Sequence, residues 1–177
     1  MAKKKIRNKR KGILFWITGL SGSGKTKIAK KIESKIYRLY GPTLNLSGDD
    51  FRKTFKLYKY SHKERIKNLW KYHNFCRLIT DNKINLIFSI VGLYNRVRNW
   101  NRKNIDNYVE IYIEANMNKI LSFKQKPIHL KVKKNIVGLD IKAELPKKPD
   151  IIVKNDFNKS LDELAKELLS KIKNLNL

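Results

Sequence analysis

The stretch Ile13-Leu14-Phe15-Trp16-Ile17-Thr18-Gly19-Leu20-Ser21-Gly22-Ser23-Gly24-Lys25-Thr26 decides the reading of the whole chain. Its first six residues form a short continuous apolar run, the pattern of a strand buried on both faces, as in a parallel sheet. Its last eight satisfy G-x-x-x-x-G-K-S/T. Glycines let the backbone curl so that successive N–H groups face phosphates, and the helix that follows adds its positive N-terminal end. Lys25 is placed to reach the β- and γ-phosphates, and the Thr26 hydroxyl to bind the magnesium ion that bridges them. Gly19, Ser21, Gly22, Ser23, Gly24, Lys25 and Thr26 are therefore the expected ATP-binding residues, with Mg2+ on Thr26 and Lys25 also catalytic. After the loop, Ile28, Ala29, Ile32 and Ile36 recur at helical spacing until Gly41-Pro42 ends the helix.

Further along, apolar runs at Thr43 to Leu46, Leu86 to Ile90, Tyr108 to Ile113 and Asp150 to Val153 give four more strands. Ser61 with Glu64, and Ser160 with Glu163, have capping-box spacing. The first opens a helix striped by Ile66, Leu69, Trp70 and Cys76. The second opens one whose face is Leu161, Leu164, Ala165, Leu168 and Ile172. Arg96 to Lys103 reads as a polar helix, a short helix follows the fourth strand, and Phe123 to Asn135 has no clean period. Strands alternating with helices imply an α/β fold, a three-layer sandwich around a parallel five-stranded sheet.

The 177 residues favour one domain. Residues 13–177 are expected to form it, with 1–12 as a basic disordered arm. With one cysteine, Cys76, the chain has no disulfide framework or Cys-rich zinc site, and His62, His73 and His129 are too scattered for a metal cluster. No apolar run approaches the roughly 18 residues of a membrane span. The N-terminal apolar stretch is too short for a signal-peptide core, so a cytoplasmic protein is expected. The net charge of +26 attracts anions. Yet 32 Lys against 9 Arg, together with 18 Asn and 21 Ile, is the pattern that AT-rich coding produces, and it touches every part of the chain. A basic nucleic-acid-binding ATPase would need a recognition element that the sequence does not supply. No Asn-Lys-x-Asp segment follows a later strand to read guanine, and the chain is short for a mechanical ATPase. A small-molecule kinase matches the size.

Strand two runs into Gly48-Asp49-Asp50-Phe51-Arg52, and strand C-termini line the ligand crevice of a parallel sheet. A carboxylate there can orient a substrate hydroxyl or hold a metal's waters, and an arginine three residues on can clamp a substrate phosphate. The phosphate loop with Leu46-Ser47-Gly48-Asp49-Asp50-Phe51-Arg52 resembles the adenylylsulfate (APS) kinases. So do Tyr60-Ser61 followed by Arg65 and Asn68, then Arg98 and Arg102, then Gly138-Leu139-Asp140 followed by Glu144, Pro146, Pro149 and Asp150. The likeness covers about residues 13 to 155. It implies a P-loop kinase fold with a short mobile lid, and transfer of the ATP γ-phosphate to the 3′-hydroxyl of adenosine 5′-phosphosulfate or a similar nucleotide.

Carried over, the resemblance places Asp49 by the acceptor hydroxyl as a catalytic or magnesium-binding group. Arg52, Arg65 and Asn68 would hold the acceptor, Tyr60 would stack on its base, and Lys126 would close over the phosphates. A small nucleotide partner, no membrane, no nucleic acid and a homodimer are the matching partner expectations. The chain also departs from the family. Ser47 replaces the first loop aspartate, and Trp70 and Lys71 replace two arginines. Gly92-Leu93-Tyr94-Asn95 stands for Ser-Pro-Tyr-Arg, and Ile136 for the aromatic on the far side of the base. Phe123-Lys124-Gln125-Lys126-Pro127 keeps only the lysine of the lid motif. The ATP half is intact and the acceptor half altered. APS-like kinases with such changes act on other nucleotide-linked precursors, such as cytidine diphosphoramidate in surface-polysaccharide assembly. A nucleotide binder without turnover is the remaining alternative.

Overall fold

A computed structural model describes residues 8–58, 61–122, 136–175 and 177. In chain order the elements are β1 (Leu14–Thr18), α1 (Lys25–Tyr40), β2 (Thr43–Ser47), α2 (Gly48–Thr54), α3 (His62–Asp81) and β3 (Asn85–Ser89). There follow α4 (Asn95–Asn104), β4 (Tyr108–Glu114), α5 (Met117–Ser122), β5 (Ile151–Lys154) and α6 (Leu161–Lys173). The strands pair in the order β2-β3-β1-β4-β5, and every pairing is parallel. Crossover helices must then cover both faces, which explains why β1 and β3 are buried at every position and read as unbroken apolar runs.

The pleat divides the core. Phe15 and Ile17 of β1 face α1 and α6, meeting Ile28, Ile32, Ile36, Leu164, Leu168 and Ile172. Leu14 and Trp16 face the other way, toward Phe51 of α2, Leu69 and Cys76 of α3 and Val97 of α4. This is the expected three-layer α/β sandwich, with each expected strand within a residue or two of its place.

Three expectations change. Residues 48–54, where the sequence pattern predicts no element, form a helix, because Ser47 and Asp50 make a capping box at its start. Trp70 lies off the buried stripe of α3, which runs instead through Leu69, Tyr72, His73 and Cys76. Trp70 is half-exposed, its ring edge-on to Trp100 and under the Arg96 guanidinium. The expected arm is docked from Asn8 onward. The Asn8 N–H donates to Asn107 Oδ1 (3.2 Å), Lys11 Nζ bridges Asp81 (2.9 Å) and Asp106 (3.2 Å), and the Gly12 N–H donates to Thr80 O. The acids at the ends of α3 and α4 thus hold that segment against the sheet. Residues 1–7, the lid and the aperiodic stretch 123–135 lie outside the described residues, as do Tyr60 and Lys126.

Candidate active site

The phosphate loop leaves the C-terminal end of β1, the central strand, and enters α1. Its path needs glycine first of all at Gly19, where φ is +150° and a Cβ would stand 2.5 Å from the Ile113 carbonyl oxygen of β4. Gly22 and Gly24 also have positive φ. The Ser23 N–H closes the turn on Leu20 O (3.1 Å). No side chain caps the N-terminus of α1 and no acid occupies its first turn. The uncapped amides and the positive helix end converge on the concavity of the loop, an arrangement suited to an oligophosphate.

Lys25 is 7% exposed and folds over the loop, its Nζ donating to Leu20 O (2.6 Å) and Ser23 Oγ (3.4 Å). The Thr26 hydroxyl accepts from Ser89 Oγ at the end of β3 (3.3 Å). Two neutral oxygens thus meet at the root of the loop. Such a pair fits Mg2+, which takes few protein ligands and draws the rest from phosphates and water. Among the described residues, no group of three or more His, Cys, Asp or Glu side chains can hold a metal. Asn155, just past β5, is a loop support that the sequence did not reveal. Its buried Nδ2 donates to Ser23 O (3.1 Å) and its Oδ1 accepts from the Phe157 N–H (3.0 Å).

On the other side of β1, Ser89 pairs in register with both Ile17 of β1 and Ser47 of β2, so the three strand ends stand side by side. Asp49 follows two residues after Ser47. The two acids here have separate fates. Asp50 is consumed by the cap, its Oδ2 accepting from Ser47 N–H (3.2 Å) and Ser47 Oγ (2.6 Å). Asp49 projects with 57% of its side chain exposed and pairs with Arg52 one turn on. The structure therefore singles out Asp49 as the carboxylate presented at this edge, with Arg52 beside it. Asn68 is buried on α3. Arg65 belongs to the same helix, and its side chain is outside the described set.

Arg98 and Arg102 present no free ligand face. Arg98 Nε pairs with Glu110 Oε1 at 3.1 Å, both side chains being 3% exposed, and Arg102 Nη2 holds Glu110 Oε2 at 2.6 Å. Arg102 also reaches Asp150 (3.6 Å), whose Oδ2 accepts the Glu110 N–H (2.7 Å). Burial raises the Glu110 carboxyl above its ordinary range, and the two guanidiniums oppose that rise. The signal in the sequence was Glu110 itself, a carboxylate inside the apolar run of β4. Cys76 is fully buried and its thiol is pushed far up by desolvation, which makes it core rather than nucleophile.

Four similarities bear on the chain. The family model for adenylylsulphate kinase matches residues 11–154. The cytidine diphosphoramidate kinase of Campylobacter jejuni is 31% identical over 163 residues, covering 90% of this chain and 95% of that protein. The adenylyl-sulfate kinase of Clostridium kluyveri is 31% identical over 167 residues, covering 87% and 84%. The APS kinase of Mycobacterium tuberculosis, solved with AMPPNP and APS, superposes with a TM-score of 0.79 over 92% of this chain and 98% of that one. At 22% identity that last likeness is one of fold.

Proposed function

The chain belongs to the adenylylsulphate kinase family and is an ATP-dependent phosphotransferase, and from that premise we propose that it phosphorylates a hydroxyl of a small nucleotide-linked acceptor. The 3′-hydroxyl of adenosine 5′-phosphosulfate or a similar nucleotide is the first reading. The observation that carries the proposal is the convergence of three strand ends. The loop with Lys25 follows β1, Ser89 beside Thr26 ends β3, and Asp49 with Arg52 follows β2.

Phosphoryl transfer asks a protein for positioning and charge neutralisation more than for covalent chemistry. Lys25 and the loop amides grip the triphosphate. Thr26, with Ser89 behind it, would hold Mg2+, and the ion would supply charge neutralisation for the triphosphate. Asp49 aligns the acceptor hydroxyl and takes its proton. The new bond joins that oxygen to the γ-phosphorus, the β–γ bridging bond breaks, and ADP leaves with the electron pair. Arg52 exchanges Asp49 for the acceptor's anionic group, where its fork can bind two oxygens. Arg65 and Asn68 on α3, with Tyr60 and Lys126, complete the proposed acceptor site.

A second reading, cytidine diphosphoramidate as acceptor, is favoured by the likeness to the Campylobacter enzyme along 95% of its length. It also suits the altered positions Ser47, Trp70, Gly92 and Ile136, all on the acceptor side of the family pattern. A coupled ATP-consumption assay with adenosine 5′-phosphosulfate, cytidine diphosphoramidate and their parent nucleotides tests both. Acceptor-dependent turnover with either compound supports the proposal and separates the readings. No acceptor-dependent turnover with any of them refutes it.

A further inference from the structure

Arg98, Glu144 and the Gly138 turn have no part in the chemistry just described, yet several hydrogen bonds tie them together. The Arg98 guanidinium spends every nitrogen. Nε pairs with Glu110 (3.1 Å), Nη1 donates to Gly92 O (3.3 Å), and Nη2 donates to Asn95 Oδ1 (2.6 Å) and Glu144 O (2.7 Å). Glu144 answers from the other strand of chain. Its N–H donates to Leu93 O (3.1 Å), and its carboxylate accepts from the Asn95 N–H at the start of α4. One buried cation therefore staples two segments distant in sequence, the loop 90–95 that leaves β3 and the segment 136–144.

The second segment also rests on the phosphate loop. Gly138 has φ +99°, and a Cβ there would fall 2.6 Å from Leu20 Cδ2 and 2.7 Å from Met117 Cε. Leu20, Leu93, Tyr112, Ala115, Ile120 and Val137 form a small cluster of their own, separate from the two main cores. Residues 136–144 thus run as a strap from Leu20 of the loop to the end of β3. Through β3 the strap borders the side on which Asp49 stands, whereas α1 and the loop amides lie on the other.

We propose that Arg98 and Glu144 are positioning residues that set the acceptor side of the site by strapping segment 136–144 to the loop leaving β3. They touch neither substrate. They fix the distance between the wall on which the acceptor lies and the loop that holds the γ-phosphate. An error of about 1 Å in such a distance can cost on the order of a hundredfold in rate. The inference rests on the acceptor lying on the β2–β3 side, as proposed above.

The test uses Arg98→Lys, which keeps the charge but loses the fork, and Glu144→Ala at an exposed site, which removes the acceptor of the Asn95 N–H. Steady-state kinetics are measured with ATP and with whichever of adenosine 5′-phosphosulfate or cytidine diphosphoramidate the wild type accepts. Amide hydrogen exchange is followed at residues 95 and 144. The expected result is an acceptor KM raised about tenfold or more, an ATP KM within about twofold of wild type, and faster exchange at both amides together. An unchanged acceptor KM in folded variants, or equal rises for ATP and acceptor, would overturn the proposal. Should the wild type accept no nucleotide, the functional reading falls, and the exchange data alone decide the strap. Coupled acceleration at 95 and 144 supports it and independent behaviour refutes it.

Discussion

Replacing Asn155 by Ala should weaken ATP binding from a position that contacts no phosphate. The side chain is buried, with Nδ2 3.1 Å from Ser23 O and Oδ1 3.0 Å from the Phe157 nitrogen. Truncation removes both bonds. Each is worth about 1 kcal/mol net, and a buried carbonyl left without its donor adds roughly 1–2 kcal/mol more. The expected loss of folding stability is therefore about 3 kcal/mol. Ser23 is also the residue whose N–H closes the loop on Leu20, so the bond to its carbonyl ties down the same turn. With that bond lost, the free protein samples loop shapes in which the amides no longer converge, and ATP must reorder them. A tenfold rise in Kd, about 1.4 kcal/mol, is expected. Asn155→Asp keeps the shape but removes the donor and sets a carboxylate against a carbonyl near the phosphates, so its Kd should rise further. Urea unfolding gives the first quantity and calorimetric titration with ATP–Mg2+ the second. If Asn155→Asp bound ATP as wild type does, the bond to Ser23 would have no role in shaping the loop.

Three other outcomes are expected. Lys25→Ala should abolish phosphoryl transfer with little change in the unfolding midpoint, since Lys25 sits on the loop and not in either main core; unaffected turnover in a coupled assay would remove it from the mechanism. Asp49→Asn should lower kcat far more than ATP affinity, because the carboxylate stands at the β2 end and not at the loop; a parallel loss of ATP affinity would contradict its assignment to the acceptor. His73, 2% exposed with Nδ1 2.7 Å from Asn101 Oδ1, is pushed down to about 4, chiefly by burial. The unfolded chain, with an ordinary value near 6.5, therefore binds more protons between about pH 6.5 and 4, and stability is lost as pH falls through that window. The loss should reach about 2 kcal/mol between pH 7.5 and 5 and should be absent in His73→Gln, as read from urea titrations at the two pH values.

The ATP half of the site was legible because it is local. Strand, glycine turn and helix are contiguous, and each leaves its own periodicity in the residues from Ile13 to Ile36. The central strands were legible for a similar reason, since burial on both faces leaves apolar runs at β1 and β3. Elements fixed by distant partners were not. Helix α2 escaped because its cap is Ser47-x-x-Asp50, with Asp in place of the usual Glu or Gln, and Gly48-Asp49 is equally common in turns. Asn155 meets Ser23 across 132 positions, and nothing local marks it. Arg98 and Arg102, four apart on a polar helix, look the same whether they face water or a buried Glu110. The discriminating residue was the glutamate on β4, which has no reason to sit in an apolar strand unless cations meet it there.

The same contrast explains where this chain departs from its family. The proposed grip on ATP comes largely from backbone amides, a helix end and one lysine, and main-chain groups persist whatever side chains surround them. In the proposed function the acceptor would instead be met by side chains projecting from β2, α2 and α3, where each substitution changes the ligand surface directly. The drift toward Lys, Asn and Ile that pervades the composition could therefore rewrite Lys71, Asn95 and Ile136 without disturbing the loop from Gly19 to Thr26. What that drift could not replace at low cost are the groups that hold two segments together. A buried guanidinium with all three nitrogens engaged has no isosteric substitute, and removing one partner of a buried ion pair costs about 3–5 kcal/mol. Arg98 and Glu110 thus mark the frame on which a changed acceptor surface is mounted.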